Sequence, residues 1–160
     1  MKKPLIVLTG PTAVGKTKLS IALAKAVNGE IISADSMQVY RHMDIGSAKI
    51  TPEEMDGVPH HLVDVLEPTE DFNIVLFQQM AKEAMEKIYD KGRIPILVGG
   101  TGFYIQAVTR DIDFNDMLGF CKEDVKYIMT ELDIPEEKQE ELLPIIKENY
   151  DGYIFSSEIK

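Results

Sequence analysis

Apolar residues along this chain form two kinds of stretch, short unbroken runs and longer segments with a period near 3.6. Pro4 to Thr9 and Ile94 to Val98 are nearly unbroken and strand-sized, as expected of strands buried on both faces, and the more mixed runs Glu30 to Ala34 and Pro59 to Leu66 also read as strands. Between them, Lys18 to Val27 sets Leu19, Ala22, Leu23 and Ala26 on one helical face. Thr51 and Pro52 read as N-cap and first residue of a short helix. A longer helix runs from about Asn73 to Asp90 with Ile74, Phe77, Met80, Ala81, Ala84 and Ile88 inward, closed by Gly92, and Phe103 to Thr109 makes another. Strands alternating with helices predict an α/β fold, a parallel sheet with helices on both faces.

From about Asp113 the texture changes. Val125, Ile128, Met129 and Leu132 share one face of a short helix. Pro135 to Asn149 makes a second, with Leu142, Leu143, Ile145 and Ile146 apolar, and Pro144 inside it is expected to kink or split it. Tyr150 to Phe155 reads as a turn leading into a strand. The chain therefore divides into an α/β part, residues 1–112, and a short acidic helical tail, residues 113–160. The sheet is expected to be incomplete, leaving Ile94 to Val98 or a neighbour with an uncovered edge.

A chain of 160 residues with 44% hydrophobic content is about one domain long and can build a core. Cys121 is the one cysteine, so no internal disulfide framework exists, and a bystander thiol is the simpler reading. With no leader pattern and no run approaching membrane length, the expectation is a soluble, cytoplasmic protein without membrane partners. The net charge of −10 is unevenly spread: residues 1–112 hold 12 Lys+Arg and 14 Asp+Glu, residues 113–160 hold 5 and 13. The tail would repel a polyanion; the first part would not.

The strongest chemical signal follows the first apolar run. Gly10-Pro11-Thr12-Ala13-Val14-Gly15-Lys16-Thr17 spells GxxxxGK[ST] between a strand and a helix, the context that a phosphate-binding P-loop requires. There the backbone N–H groups turn inward around a phosphate, Lys16 adds a charge, Thr17 offers a hydroxyl to a magnesium ion, and the helix N-terminus points at the same anion. The fold class is accordingly P-loop NTPase-like.

Two further strand ends carry polar residues. Asp35 follows the second strand, at the edge where open α/β sheets bind ligands. It is either a carboxylate that accepts a proton from an attacking nucleophile, or a turn cap or water-mediated magnesium holder. The run Ile94 to Val98 enters Gly99-Gly100-Thr101-Gly102 in place of the acidic residue that ordinary kinases carry there, which disfavours phosphoryl transfer. A glycine turn admits a substrate to the backbone beside the Thr101 hydroxyl; the simpler reading is a strand-to-helix turn with Thr101 as N-cap. His60 and His61 are adjacent on a strand, point to opposite faces and suit a structural role better than a shared metal. Met37, Met43, Met55, Met80 and Met85 read as core filler.

Five segments together, GPTAVGKT (Gly10 to Thr17), ISADSMQVY (Ile32 to Tyr40), DIGSAK (Asp44 to Lys49), VPHHLVD (Val58 to Asp64) and LVGGTGFY (Leu97 to Tyr104), resemble the tRNA dimethylallyltransferases in order and spacing. The resemblance covers residues 1 to about 112, about the first third of such an enzyme. It implies transfer of a dimethylallyl group from dimethylallyl diphosphate to N6 of an adenosine beside the anticodon. It further implies the diphosphate on residues Gly10 to Thr17, Mg2+ on Thr17, Asp35 as general base, Asp35-Ser36-Met37-Gln38 as a tRNA-contacting stretch, and Thr101 as a catalytic and tRNA contact. Leu118 to Ser156 is weakly similar to a stretch of bacterial AAA-ATPase-like proteins, which implies a fusion of fragments; little activity is expected because the remaining core strands, diphosphate-clamping arginines and anticodon-gripping region of such an enzyme have no counterpart in the acidic tail. The alternative is a P-loop nucleotide-binding remnant or module without turnover.

Overall fold

The computed structural model describes residues 3–9, 16–43, 49–99, 108, 118–120, 134–149 and 153–156. Its strands are β1 (Ile6–Thr9), β2 (Gly29–Ser33), β3 (His60–His61), β4 (Ile94–Gly99), β5 (Leu118–Phe120) and β6 (Tyr153–Ser156). Its helices are α1 (Lys16–Val27), α2 (Pro52–Met55), α3 (Ile74–Asp90) and α4 (Glu136–Asn149). The strands form one sheet in the order β3-β2-β4-β1-β6-β5. The first four are parallel, and β6 joins β1, and β5 joins β6, antiparallel.

Alternating side chains feed two cores. Ile6, Leu8, Ile31 and Ile96 face α1 and α4, while Leu5, Val7, Ile32 and Leu97 face α3. β1 and β4 are nearly solid apolar because each strand is covered on both sides, as the sequence predicts, while the equally buried β2 also carries Glu30 and Ser33. From α3, Phe77, Ala81, Ala84 and Ile88 are buried at a helical period, and the Tyr89 hydroxyl donates to the Pro4 carbonyl at 2.7 Å, docking the helix to the strand before β1. Asn73 caps α3 by accepting from the Leu76 N–H at 2.9 Å, and Thr51 with Glu54 forms a reciprocal capping box on α2.

Several expectations change. The run Pro59 to Leu66 gives only the two-residue β3, because Leu62 and Asp64 take left-handed φ of 65° and 55° and turn the chain out of the ladder. In α1 the buried set is Leu19, Ile21, Leu23 and Ala24; Ala22 and Ala26 are only partly covered. Ile74 sits in the first turn of α3 and is exposed. Pro144 does not split α4, which runs continuously across it; the carbonyl of Glu140, left without a donor, is on an exposed turn that water reaches.

The run Ile94 to Val98 is not an edge, although, among the described residues, its neighbour β2 is paired on the outer side only at Ile31 and Ile32. β4 lies inside the sheet between β2 and β1, and the far side of β1 pairs with β6 from Ile6 opposite Ser156 to Thr9 opposite Tyr153. The tail thus supplies two strands as well as a helix, and Ile134 and Leu142 join the core beneath α1. The helix expected over 103–109 falls outside the described residues except for Val108, which is helical and buried against the α3 side. The short helix expected around residues 125–132 and Cys121 also fall outside them.

Candidate diphosphate and adenosine site

Parallel pairing brings the carboxyl ends of β1, β4 and β2 to one edge of the sheet. Thr9 stands opposite Gly99 and Ser33 opposite Val98, and the ladder extends one step further through the Ala34 N–H, which donates to the Val98 carbonyl at 2.8 Å. The ends of β1, β2 and β4, after which the three chemically marked segments follow in sequence, therefore stand side by side; of those segments the Asp35 turn is the one among the described residues.

Gly99 sets how closely two of them approach. A Cβ at that position would lie 2.7 Å from the Cβ of Ala34 and 2.8 Å from its carbonyl oxygen. A residue with a side chain would push Ala34, and Asp35 with it, away from β4. The glycine that the sequence suggests for substrate approach is required first by the neighbouring strand.

Asp35 is half-buried and caps the turn that follows it. Its Oδ1 accepts from the Met37 N–H at 2.7 Å and from the Gln38 N–H at 3.3 Å. The turn-cap alternative therefore holds, and it leaves Oδ2 outside both bonds, so capping fixes the carboxylate without consuming it. The carboxylate acts on Lys16 at the start of α1. Burial pulls the Lys16 ammonium below its ordinary value of 10.5, and the negative charge of Asp35 offsets part of that shift. Thr17 is exposed in the first turn of α1, where the helix dipole favours an anion, and the Ser20 hydroxyl donates to the Thr17 carbonyl at 2.8 Å.

Of the sequence-derived site, the structure sets Asp35 within electrostatic reach of Lys16, which Thr17 follows on the first turn of α1. Ser36 and Gln38 are partly exposed on the Asp35 turn, and Met37 is 43% exposed at its tip, so it is not core filler. Residues 10–15 and Thr101 lie outside the described residues. The histidines are structural: His61 Nε2 donates to Glu30 at 2.6 Å, and His60 Nδ1 donates to the Val58 carbonyl at 2.8 Å. Sequence reasoning missed Lys49 and Asp64, which pair at 2.5 Å beside the Asp35 turn; both stand in segments that carry the family pattern, which is the one signal that pointed to them. No helix among the described residues is long and apolar enough to cross a membrane.

Family models, relatives and solved structures match this sequence and fold. A model of the isopentenyl transferases matches residues 3–67, and a model of the IPP transferases matches residues 38–149. This chain belongs to the IPP transferase family. The match runs past residue 112 and through α4, so family likeness extends into the segment that resembles AAA-ATPase-like proteins.

The tRNA dimethylallyltransferase of Lachnoclostridium phytofermentans is 74% identical over 114 residues, 71% of this chain and 36% of that protein. The Bacillus pumilus tRNA dimethylallyltransferase is 63% identical over 115 residues, 72% of this chain and 36% of its own length. The chain spans about a third of the length of these relatives. Among solved structures, the tRNA isopentenylpyrophosphate transferase of Bacillus halodurans superposes with a TM-score of 0.67 at 40% identity, covering 91% of this chain and 55% of that one. A eukaryotic dimethylallyltransferase acting on tRNA gives 0.65 at 30%, covering 94% and 42%.

Proposed function

We propose that this IPP transferase chain takes part in transfer of a dimethylallyl group from dimethylallyl diphosphate to the N6 amine of an adenosine beside the anticodon of a tRNA. The observation that carries the reading is the turn-fixed Asp35 carboxylate at the carboxyl edge of a parallel sheet, within electrostatic reach of the partly desolvated Lys16. In the reaction the N6 nitrogen bonds to C1 of the dimethylallyl group, the C1–O bond to diphosphate breaks, and the N6 proton passes to Asp35. The exocyclic amine of adenine is a weak base and nucleophile, so a positioned acceptor raises the rate. Lys16, the α1 N-terminus and residues 10–15 stabilise the charge that develops on the departing diphosphate. The base must leave its stack to reach this edge, and the exposed turn Asp35 to Gln38, with Thr101, is where the tRNA is received.

The donor set suits a hard divalent cation such as Mg2+. Thr17, exposed in the first turn of α1, would offer its hydroxyl to such a cation, which substrate phosphates and water would otherwise hold and which would neutralise leaving-group charge. A tRNA substrate also implies work in the cytoplasm. Family membership favours transfer over the nucleotide-binding module without turnover.

The test is incubation of the purified chain with Mg2+, dimethylallyl diphosphate and an anticodon stem-loop containing the target adenosine, with ATP in a parallel arm. Support is a prenylated nucleoside by mass spectrometry and competition by inorganic diphosphate. Tight binding of ATP with no binding of dimethylallyl diphosphate would instead establish the nucleotide-binding module.

A further inference from the structure

Lys49 is an unusual lysine, its side chain only 5% exposed. A cation so enclosed must be compensated, and it is: its Nζ donates to the Tyr40 carbonyl at 2.6 Å and to Asp64 Oδ1 at 2.5 Å. Asp64 lies after β3 in the segment where Leu62 and Asp64 both adopt left-handed φ. Two such non-glycine residues so close together persist only where their surroundings over-determine them.

What that conformation achieves is a tie to the Asp35 turn. The Asp64 N–H donates to the Gln38 carbonyl at 3.0 Å, and Val65 and Leu66 donate to the Val39 carbonyl at 2.9 and 3.0 Å. Arg41 returns the contact, its N–H donating to the Leu66 carbonyl at 2.8 Å and its Nε to the Asp64 carbonyl at 2.9 Å. A continuous chain of bonds thus runs from Lys49 Nζ to Asp64, from the Asp64 backbone to Gln38, and from the Gln38 N–H to Asp35 Oδ1.

We propose that Lys49 and Asp64 are a positioning pair for the Asp35 carboxylate, holding the turn Asp35 to Tyr40 in the geometry that proton acceptance requires. The inference rests on the role proposed above for Asp35. Lys49 touches no reacting atom; it acts through Asp64 and Tyr40.

Amide hydrogen exchange resolved by residue, on the whole chain, decides the matter whether or not turnover is seen. In Lys49→Met the amides of Met37, Gln38, Asp64, Val65 and Leu66 exchange about tenfold faster, the scale of one net hydrogen bond lost, while those of Val7, Leu8, Ile96 and Leu97 are unchanged. Lys49→Arg, which keeps a cation donor, restores most of the protection. Unchanged turn amides, or sheet amides accelerated by the same factor, would overturn the proposal, the latter by making Lys49 a general stability residue. Should Lys49→Met fail to fold, Asp64→Asn keeps an oxygen for Lys49 and gives a smaller increase in the same five amides; its absence overturns the proposal equally. With dimethylallyl diphosphate and a stem-loop, Lys49→Met lowers kcat about tenfold with KM for the diphosphate unchanged, a cost in the range of small misplacements of a reacting group. An unchanged kcat contradicts the pair. Absence of turnover in the unmodified chain counts against the proposed function and leaves the exchange pattern to judge the pair.

Discussion

Strand β2 carries a carboxylate at each end, and the two live in opposite circumstances. Glu30, near the amino end, is fully buried and fully engaged: His61 donates to it at 2.6 Å, Lys91 at 3.0 and 3.2 Å, and Arg93 at 3.0 Å. Asp35, two residues past the carboxyl end, is half-buried, uses one oxygen to cap a turn and faces Lys16. One strand leads to both, yet β3 and the turn into β4 converge on the first, whereas the second stands at the carboxyl edge, where open α/β sheets bind ligands. The same residue class serves cohesion at one edge of the sheet and, in the function proposed here, chemistry at the other.

The comparison breaks most visibly under substitution of Asp35. Asp35→Asn keeps an oxygen for the turn but removes the proton acceptor, so turnover should fall by about 10²–10⁴-fold with the thermal midpoint and diphosphate affinity unchanged. Steady-state kinetics beside a melting curve reads this directly, and an Asn variant with most of its rate would reduce Asp35 to a turn residue.

Gly99→Ala tests whether the functional edge depends on close strand approach. Because backbone and Cβ of Ala34 block the new methyl, the cost should reach the upper end of about 1–3 kcal/mol for overpacking, with Met37 and Gln38 amide resonances displaced. A neutral variant by urea denaturation would mean that β2 and β4 separate freely there.

Glu30→Gln addresses the other edge. Removing one partner of a buried ion pair costs up to about 3–5 kcal/mol, but Lys91 and Arg93 reach solvent once released, so about 2 kcal/mol is expected, with diphosphate binding untouched. The pH dependence sharpens this. Burial pushes the Glu30 carboxyl up, but the hydrogen bonds and charges of His61 and Lys91 outweigh it and hold the group below its ordinary value of 4.5. The folded state therefore binds Glu30's proton less readily than the unfolded state. Its stabilisation is complete above pH 4.5 and is lost as pH falls through the depressed folded value, a decline that Glu30→Gln should flatten in urea titrations across acidic pH.

The smallest effect belongs to His60, which burial holds below its ordinary value of 6.5. Folding favours its neutral form, so stability begins to decline as pH falls below 6.5 and the loss completes as the folded value is passed. In His60→Asn this shallow upper limb of the stability–pH curve should vanish, as urea titrations across that range would show.

Much of the fold is legible because burial on both faces writes nearly solid apolar runs for β1 and β4, an Ile31-Ile32 centre for β2 and a clean helical period for α3. The shortness of β3 is not, since left-handed Leu62 and Asp64 are imposed by ties to Gln38 and Lys49 that no local pattern records. Nor is the pairing of β6 with β1, a contact between residues about 150 positions apart that hydrophobic pattern cannot specify. At the site, Lys16, Thr17 and Asp35 are visible from motif and strand end. Lys49 and Glu30 look like surface charges until the fold buries them.

The central claim is that an anionic diphosphate is held at the carboxyl edge by Lys16 and not by the cation cluster around Glu30. Calorimetric titration of dimethylallyl diphosphate with Mg2+ into the chain, Lys16→Ala and Lys91→Ala tests it. Loss of a charge-assisted donor at Lys16 should weaken binding by about 1.5–3 kcal/mol, roughly 10- to 150-fold, while Lys91→Ala binds as the unmodified chain does. Equal affinity of the chain and Lys16→Ala, or a loss confined to Lys91→Ala, would contradict it.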